Sequence, residues 1–393
     1  MLNGPFSSWP SFTQEEADAV QQVLLSNRVN YWTGEECRLF EQEFASWAGA
    51  QYALALANGT VALELALKAL NIGPKDEVVV TPRTFIASAS AIVAVGARPV
   101  FADVDPDSQN ITAASVERVL TPRTRAVICV HLAGWPCDME SIMALSEQHG
   151  LYVIEDCAQA HGATYKGRSV GTIGHVAAWS FCQDKIMTTG GEGGMLTTND
   201  EMLWKRAWAY KDHGKSYDSV YHREHPPGFR WLHESFGTNW RMTEMQAAIG
   251  RIQLKRMGEW HESRKRNAQM ILDAAHTCEA LRVPTVPGDI EHAWYKCYMF
   301  VRPDRLRTGW NRDRIIEAIN ERSVPCFSGS CSEVYLEKAF DDTSWRPESR
   351  LPVARELGET SLMFLVHPTL TEQEIKKTCA VLVEVIRKAS TEF

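Results

Sequence analysis

The chain has 393 residues, 45% of them hydrophobic and 23% charged, with a formal net charge of -8 at pH 7. That length allows two domains and large cores, while the acidic balance argues against a nucleic-acid binder, which would carry a basic stripe. No apolar run approaches the ~20 residues that span a bilayer, and the start, Met1-Leu-Asn-Gly-Pro-Phe, lacks the basic-then-apolar layout of a secretory leader.

In chain order, residues 13–26 read as a helix capped by Thr13, with Glu16 completing a capping box. Asn58-Gly59-Thr60 then opens a run of good helix formers over 61–70. Past Gly73-Pro74, residues 77–81 are short and β-branched, the pattern of a strand covered on both faces. The alternation predicts a helix over 88–95, a strand at 99–104, a helix near 113–120, a strand at 126–131, a helix over 139–149 and a strand at 151–155. Strands near 176–181 and 194–198 follow. Strands separated by helices mean crossover connections and a mainly parallel sheet. Residues 242–275 predict one long helix, with Met242, Met245, Ile249, Ile252 and Trp260 at mostly helical spacing. A strand at 295–301 and helices at 312–322 and 372–389 predict a smaller α+β unit. The expected organisation is an N-terminal arm and helix (1–29), a large three-layer α/β/α domain (30–241), a connecting helix (242–275) and a small C-terminal domain (276–393).

The ten cysteines are scattered, often inside apolar runs (Cys129, Cys157, Cys297, Cys379), as reduced thiols of a cytoplasmic protein would be. Cys326 and Cys331 lack the second pair that a zinc site needs, and no metal is expected.

The stretch from Trp179 to Gly194 places Lys185 between an apolar strand and a glycine-rich turn, and Asp156 ends another apolar run. A lysine on a rigid element, with a carboxylate aimed at the same cavity, is what pyridoxal phosphate chemistry needs. The amine forms the Schiff base, and the acid keeps the pyridine nitrogen protonated. A helix opening at Gly59-Thr60 offers free N–H groups to the cofactor's phosphate, and Ser180 could add a second contact. Gln159, one turn beyond Asp156, could reach the phenolic oxygen, and Phe85, after another strand end, could stack on the ring. Taken singly, a capped helix and a surface lysine are the better readings of Gly59-Thr60 and Lys185, a strand-end acid says little, and Phe85 serves equally as a core ring. The constellation carries the reading. The glycines at 190, 191, 193 and 194 fit no G-x-G-x-x-G, so a dinucleotide site is not indicated.

At these residues the sequence resembles the DegT/StrS-type sugar aminotransferases, pyridoxal phosphate enzymes of fold type I. The resemblance runs from Phe6 to about Leu370, through Asn58-Gly-Thr-Val-Ala-Leu, Glu155-Asp-Cys-Ala-Gln-Ala-His-Gly162, Thr189-Gly-Gly-Glu-Gly-Gly194 and Gly237-Thr-Asn-Trp-Arg-Met. It implies that Lys185 is the cofactor-linked lysine and Asp156 the pyridinium partner. Gln159 would meet the ring hydroxyl, Phe85 the ring face, and Gly59, Thr60 and Ser180 the phosphate. Asn239 matches a residue offered to the neighbouring subunit's phosphate, which implies a homodimer with shared active sites. The sequence departs from the pattern in a His- and aromatic-rich segment between Lys211 and Gly237, read as a solvated active-site loop. It departs again at Cys326-Phe-Ser-Gly-Ser-Cys331, where many relatives carry a His-Tyr type motif.

The resemblance also implies a reaction in two halves, from L-glutamate to 2-oxoglutarate and then onto a keto sugar, with Lys185 moving the proton. The expected acceptor is a free acidic sugar, 8-keto-3-deoxy-manno-octulosonate of lipopolysaccharide synthesis, on the strength of the Cys326–Cys331 segment. A nucleotide-linked (UDP or dTDP) keto-hexose is the alternative. Arg83, Lys211, Lys215, Arg230 or Arg241 could pair the acceptor's carboxylate or diphosphate. Sugar dehydratases of the family replace the lysine with histidine, against Lys185 here. A non-catalytic regulator would not require Lys185 and Asp156 together, and the chain shows no helix-turn-helix or basic face.

Overall fold

The computed structural model describes residues 5–391; the expectations for residues 1–4 and 392–393 lie outside it. The predicted first helix is α1, Gln14–Leu25, and its Thr13–Glu16 capping box is formed. Helix α2, Glu36–Ala48, and strand β1, Tyr52–Leu56, had no counterpart in the sequence reading. Helix α3 spans Gly59–Ala69, with the Asn58 side chain accepting from the Val61 N–H as its cap.

Six further strands join β1 in one sheet: β2 (Glu77–Val80), β3 (Arg98–Phe101), β4 (Thr124–Val130), β5 (Tyr152–Asp156), β6 (Val176–Ser180) and β7 (Gly194–Thr198). The order is β1-β7-β6-β5-β4-β2-β3. Pairs β3–β2, β2–β4, β4–β5 and β5–β6 are parallel, and only β7 runs against its neighbours. The mainly parallel sheet is therefore as expected, and the predicted strand centres hold to within a few residues. Helix α4 (Ala87–Ala94) follows β2, and helix α5 (Met139–His149) coincides with its predicted span. Ligand sites in such sheets form beyond the carboxyl ends of the parallel strands. Asp156 ends β5 and Ser180 ends β6.

The predicted long helix is α6, Glu244–His276, with a Thr243–Gln246 capping box. Its first half (Ala247, Leu254, Met257, Trp260) packs into the core around Phe40, Phe44, Trp179 and Phe181. Its second half (Ala268, Ile271, Leu272, Ala275) packs into a different core, around Met299, Phe364 and Leu382. One continuous helix thus belongs to two cores. Gly250 permits the first contact, because a Cβ there would sit 2.6 Å from the Phe40 ring. The second core covers a four-stranded antiparallel sheet of β8 (Leu281–Arg282), β9 (Cys297–Val301), β10 (Cys326–Phe327) and β11 (Ser361–Phe364), in the order β8-β9-β11-β10. Helices α7 (Arg312–Asn320) and α8 (Glu372–Ala389) complete it, the latter with its predicted bounds. The molecule is α/β, with a large sheet covered by helices and a smaller α+β unit. All ten cysteines are free thiols; Cys326 is buried and Cys331 exposed. Among the described residues, no helix is long and apolar enough to cross a membrane.

Candidate active site

Three chain segments converge where β5 and β6 end. The first is the turn opening α3. A Cβ on Gly59 would lie 2.6 Å from the Ser180 Cβ, and one on Gly194 would lie 2.3 Å from the Asn58 carbonyl oxygen. Ser180 and Gly194 are register partners in the sheet. The α3 N-terminus is therefore seated directly on the end of the β6–β7 pair, and only glycine allows so close an approach. Free N–H groups of the first turn and the Ser180 hydroxyl share one small cradle. This is the donor set a phosphate ester takes.

The second segment is the β5 end. Asp156 is 5% exposed, and its carboxylate accepts from the Ser88 hydroxyl at 2.8 Å and from the Ala158 N–H at 3.1 Å. Burial raises its pKa, against the lowering effects of Ser88, Ala158 and Lys185. An acid so placed favours a cationic partner, such as a protonated pyridine nitrogen. Ser88 in turn shares a hydrogen bond with the Thr84 hydroxyl at 2.9 Å, which ties the carboxylate to the loop carrying Phe85. Phe85 is 69% exposed, which removes the reading of it as a core ring. Gln159 is buried, and its Oε1 accepts from the Ala133 N–H at 2.8 Å.

The third segment is the turn after β6. Gly190 and Gly191 have φ of 85° and 123°, values that demand glycine. Lys185 is fixed from behind: its carbonyl accepts from the Trp9 indole N–H at 2.7 Å, while its ammonium lies 3.8 Å from Asp184 and 5.2 Å over the Tyr295 ring. The Tyr295 hydroxyl donates to Asp184.

Of the residues expected from sequence, Lys185, Asp156, Gln159, Ser180 and Gly59 gather here, Phe85 stands at the mouth, and Thr60 occupies the first turn of α3. Asn239 is exposed, with its side-chain oxygen on the Arg241 N–H at 3.4 Å; it is not buried in this protomer's pocket. Among the cations named as possible anion partners, Lys211 faces Glu41 at 3.3 Å, and Lys215 and Arg241 both face the buried Asp212. Arg83 is fully buried, donating from Nε to Gln109 and from Nη2 to Ser361, with Nη1 unpartnered.

Sequence reading missed Ser88, Trp9, Asp184, Tyr295, Lys296 and Arg264. Arg264 is 1% exposed, with Nε and Nη2 lacking hydrogen-bond partners among the described residues, and burial pushes its pKa down to about 9. Its neighbours His161 and His367 are held neutral, both pushed to about 3 by burial first and then by nearby cations. No local pattern marks these residues, because they come from helices and strands far apart in the chain.

The histidines between Lys211 and Gly237 do not converge: His222 pairs with Asp218, and His225 bonds the Ser219 carbonyl. One group among the described residues does bring metal-type ligands together, His131, Glu155 and Cys157. Both imidazole nitrogens are engaged, Nε2 with Glu155 at 2.9 Å and Nδ1 with the Cys137 N–H at 3.0 Å.

Residues 10–383 match the model of the DegT/DnrJ/EryC1/StrS aminotransferase family. The crystal structure of an aminotransferase from Psychrobacter cryohalolentis is 67% identical, with a TM-score of 0.97 over 98% of this chain and 100% of that one. A GDP-perosamine synthase of Caulobacter vibrioides is 38% identical over 352 residues, covering 88% of this chain and 89% of its own. A UDP-N-acetyl-3-dehydro-alpha-D-glucosamine 3-aminotransferase of Acidithiobacillus ferrooxidans is 36% identical over 355 residues, 90% of this chain and 89% of its own.

Proposed function

This chain belongs to the DegT/DnrJ/EryC1/StrS aminotransferase family and is a pyridoxal phosphate-dependent sugar aminotransferase; we propose that it moves the amino group of L-glutamate to a keto sugar that carries an anionic group. The observation that carries the reading is the convergence of Lys185, the buried Asp156 and the Gly59–Ser180 cradle at the ends of β5 and β6.

The residues fit the cofactor. The cradle, with Thr60, would hold its phosphate, Asp156 its ring nitrogen, Gln159 its phenolic oxygen and Phe85 its outer face. When bound, the cofactor supplies a ring that stabilises negative charge at the donor's α-carbon. Lys185 would hold the cofactor through its amine and, as a free amine, would be placed to take up and return the proton at the donor's α-carbon. Asp156 would keep a proton on the ring nitrogen, and Ser88 fixes the carboxylate for it. On the keto sugar Lys185 would serve the reverse direction, giving its proton to the carbon that receives the amino group.

For the sugar, a nucleotide-linked keto-hexose has the support of the relatives, whose names carry GDP and UDP sugars. The free acidic octulosonate of lipopolysaccharide synthesis is the second reading. In its favour, the Cys326–Cys331 segment reaches the mouth, where the Cys331 carbonyl accepts from the Thr84 N–H beside Phe85. A homodimer with shared sites is part of the proposal. Phe229, Trp231 and Phe236 are 76%, 82% and 98% exposed in one protomer, a surface that a second copy would cover, and the exposed Asn239 follows on the same segment. Ten free thiols accord with a cytoplasmic setting.

The test is the visible spectrum of the protein with pyridoxal phosphate, before and after L-glutamate, beside Lys185→Ala. Wild type should form the yellow band and lose it on adding L-glutamate, and the variant should do neither. A wild type that never forms the band overturns the assignment of Lys185. Incubation of the amino-loaded enzyme with each keto sugar then separates the two acceptors.

A further inference from the structure

Lys296, immediately before β9, has an ammonium with no hydrogen bond or ion pair among the described residues; it rests 4.7 Å over the ring of Tyr295. That ring is the one Lys185 also overlies. Close by is Arg264, which donates weakly from Nη1 to the Trp294 and Tyr295 carbonyls at 3.4 Å and leaves Nε and Nη2 without hydrogen-bond partners among the described residues. Arg264 stands in α6 where the helix passes from one core to the other, so its position is fixed by both.

The charge around Tyr295 does not balance. Lys185 is answered by Asp156 as well as by Asp184, whereas Lys296 and Arg264 are two further cations, and among the described residues Asp184 is the carboxylate that acts on Lys296. His161 and His367, both neutral, add no further positive charge. Burying uncompensated cations costs several kcal/mol per ion in ordinary interiors. A fold that keeps them beside its reactive lysine has left a place for an anion. The phosphate is not that anion, since its cradle lies at Gly59 and Ser180.

We infer that Lys296, backed by Arg264, is the residue that receives a substrate carboxylate beside Lys185. The inference rests on the aminotransferase reading and deepens it. The lowered pKa of Lys296, pushed down to about 8 by burial first and by Arg264 and Lys185, is what an unneutralised pocket would produce. A carboxylate arriving there forms a charge-assisted hydrogen bond and restores the ammonium. Two carboxylates could fill the place: the amino donor's, or that of an acidic sugar.

The experiment compares wild type with Lys296→Met, Lys296→Gln and Lys296→Arg, all loaded with pyridoxal phosphate. The L-glutamate half-reaction is followed spectroscopically, and glutarate and 3-deoxy-manno-octulosonate binding by calorimetry. Lys296→Met and Lys296→Gln should raise the dissociation constant of one carboxylate ligand by about 10- to 100-fold, with the limiting rate of the half-reaction little changed. Lys296→Arg should recover most of that affinity. Weakening of L-glutamate and glutarate assigns the place to the donor; weakening of the octulosonate alone assigns it to the sugar. If wild type ignores L-glutamate, the donor reading fails, while glutarate and octulosonate binding still test Lys296. Unchanged affinity for all three ligands in folded, cofactor-binding variants overturns the inference.

Discussion

Glu155 and Asp156 are chain neighbours at the end of one strand, both buried, and the structure treats them in opposite ways. The Glu155 carboxylate pairs with His131 and accepts from the N–H groups of Gly171, Ile173 and Gly174 at 2.7 to 2.9 Å. Burial opposes its ionisation, but His131 and the backbone donors outweigh burial and hold the pKa below the usual range. Asp156 has one hydroxyl and one backbone donor, and its pKa is raised. An acid whose donors come from its own fold is a structural anchor. One left short of donors is kept for a partner from outside. The alternation of a β-strand puts the two side chains on opposite faces, so adjacent residues serve these different ends.

The contrast can be broken most sharply at Asp156. Asp156→Asn should lower transamination roughly 10²- to 10⁴-fold, because the ring nitrogen loses its ionised partner. Yet the cofactor-free variant should melt no lower than wild type. The sign follows from the raised pKa: a carboxylate ionised above its unfolded pKa while its folded pKa is higher costs stability at neutral pH, and Asn removes that cost. A cofactor-free melt well below wild type would show Asp156 to be an anchor like its neighbour.

Glu155→Gln should do the reverse. Replacing the charged acceptor of a buried pair should cost about 3 kcal/mol of stability, read from denaturant melts, while the spectrum of the cofactor-bound protein stays that of wild type. Its folded pKa lies below the unfolded value, so this stabilisation is present above about pH 4.5 and is lost as pH falls through the folded pKa. Acid melts of wild type and Glu155→Gln should therefore converge at low pH. Curves that stay parallel would remove Glu155 from the acid transition.

The smallest effect is expected at Ser88. Ser88→Ala removes one hydrogen bond from Asp156 and should cost about 1 kcal/mol of cofactor affinity, near fivefold in the dissociation constant. It should also lower the cofactor-free stability by about 1 kcal/mol, since Ser88 is one of the donors that favour the ionised Asp156 in the folded protein. A loss as large as that of Asp156→Asn would mean that Ser88 touches the cofactor itself.

Much of the fold was legible along the chain. The helices over 139–149 and 372–389 match their expected spans, and the long helix differs by a residue or two at each end. Such elements announce themselves through capping residues and apolar spacing within one window. Helix α2 and strand β1 were not read, and two-residue strands such as β8 and β10 give no period to detect. At the site, Lys185, Asp156 and the Gly59 turn were legible because each lies in a motif of its own. The exposure of Phe85, the Ser88 bond to Asp156 and the tethering of Lys215 and Arg241 by Asp212 were not.

By itself the sequence determined the alternation of strands and helices, the long helix and the local motifs that carry the chemistry, since these depend on neighbours within a few residues. Tertiary structure alone decided which charges are cancelled and which are left over. Ser88 meets Asp156 across 68 residues, and Lys185 comes to the same Tyr295 ring as Lys296 from a distant part of the chain. Burial and ion pairing are properties of what the folded chain packs against a group, and no spacing along the chain encodes them.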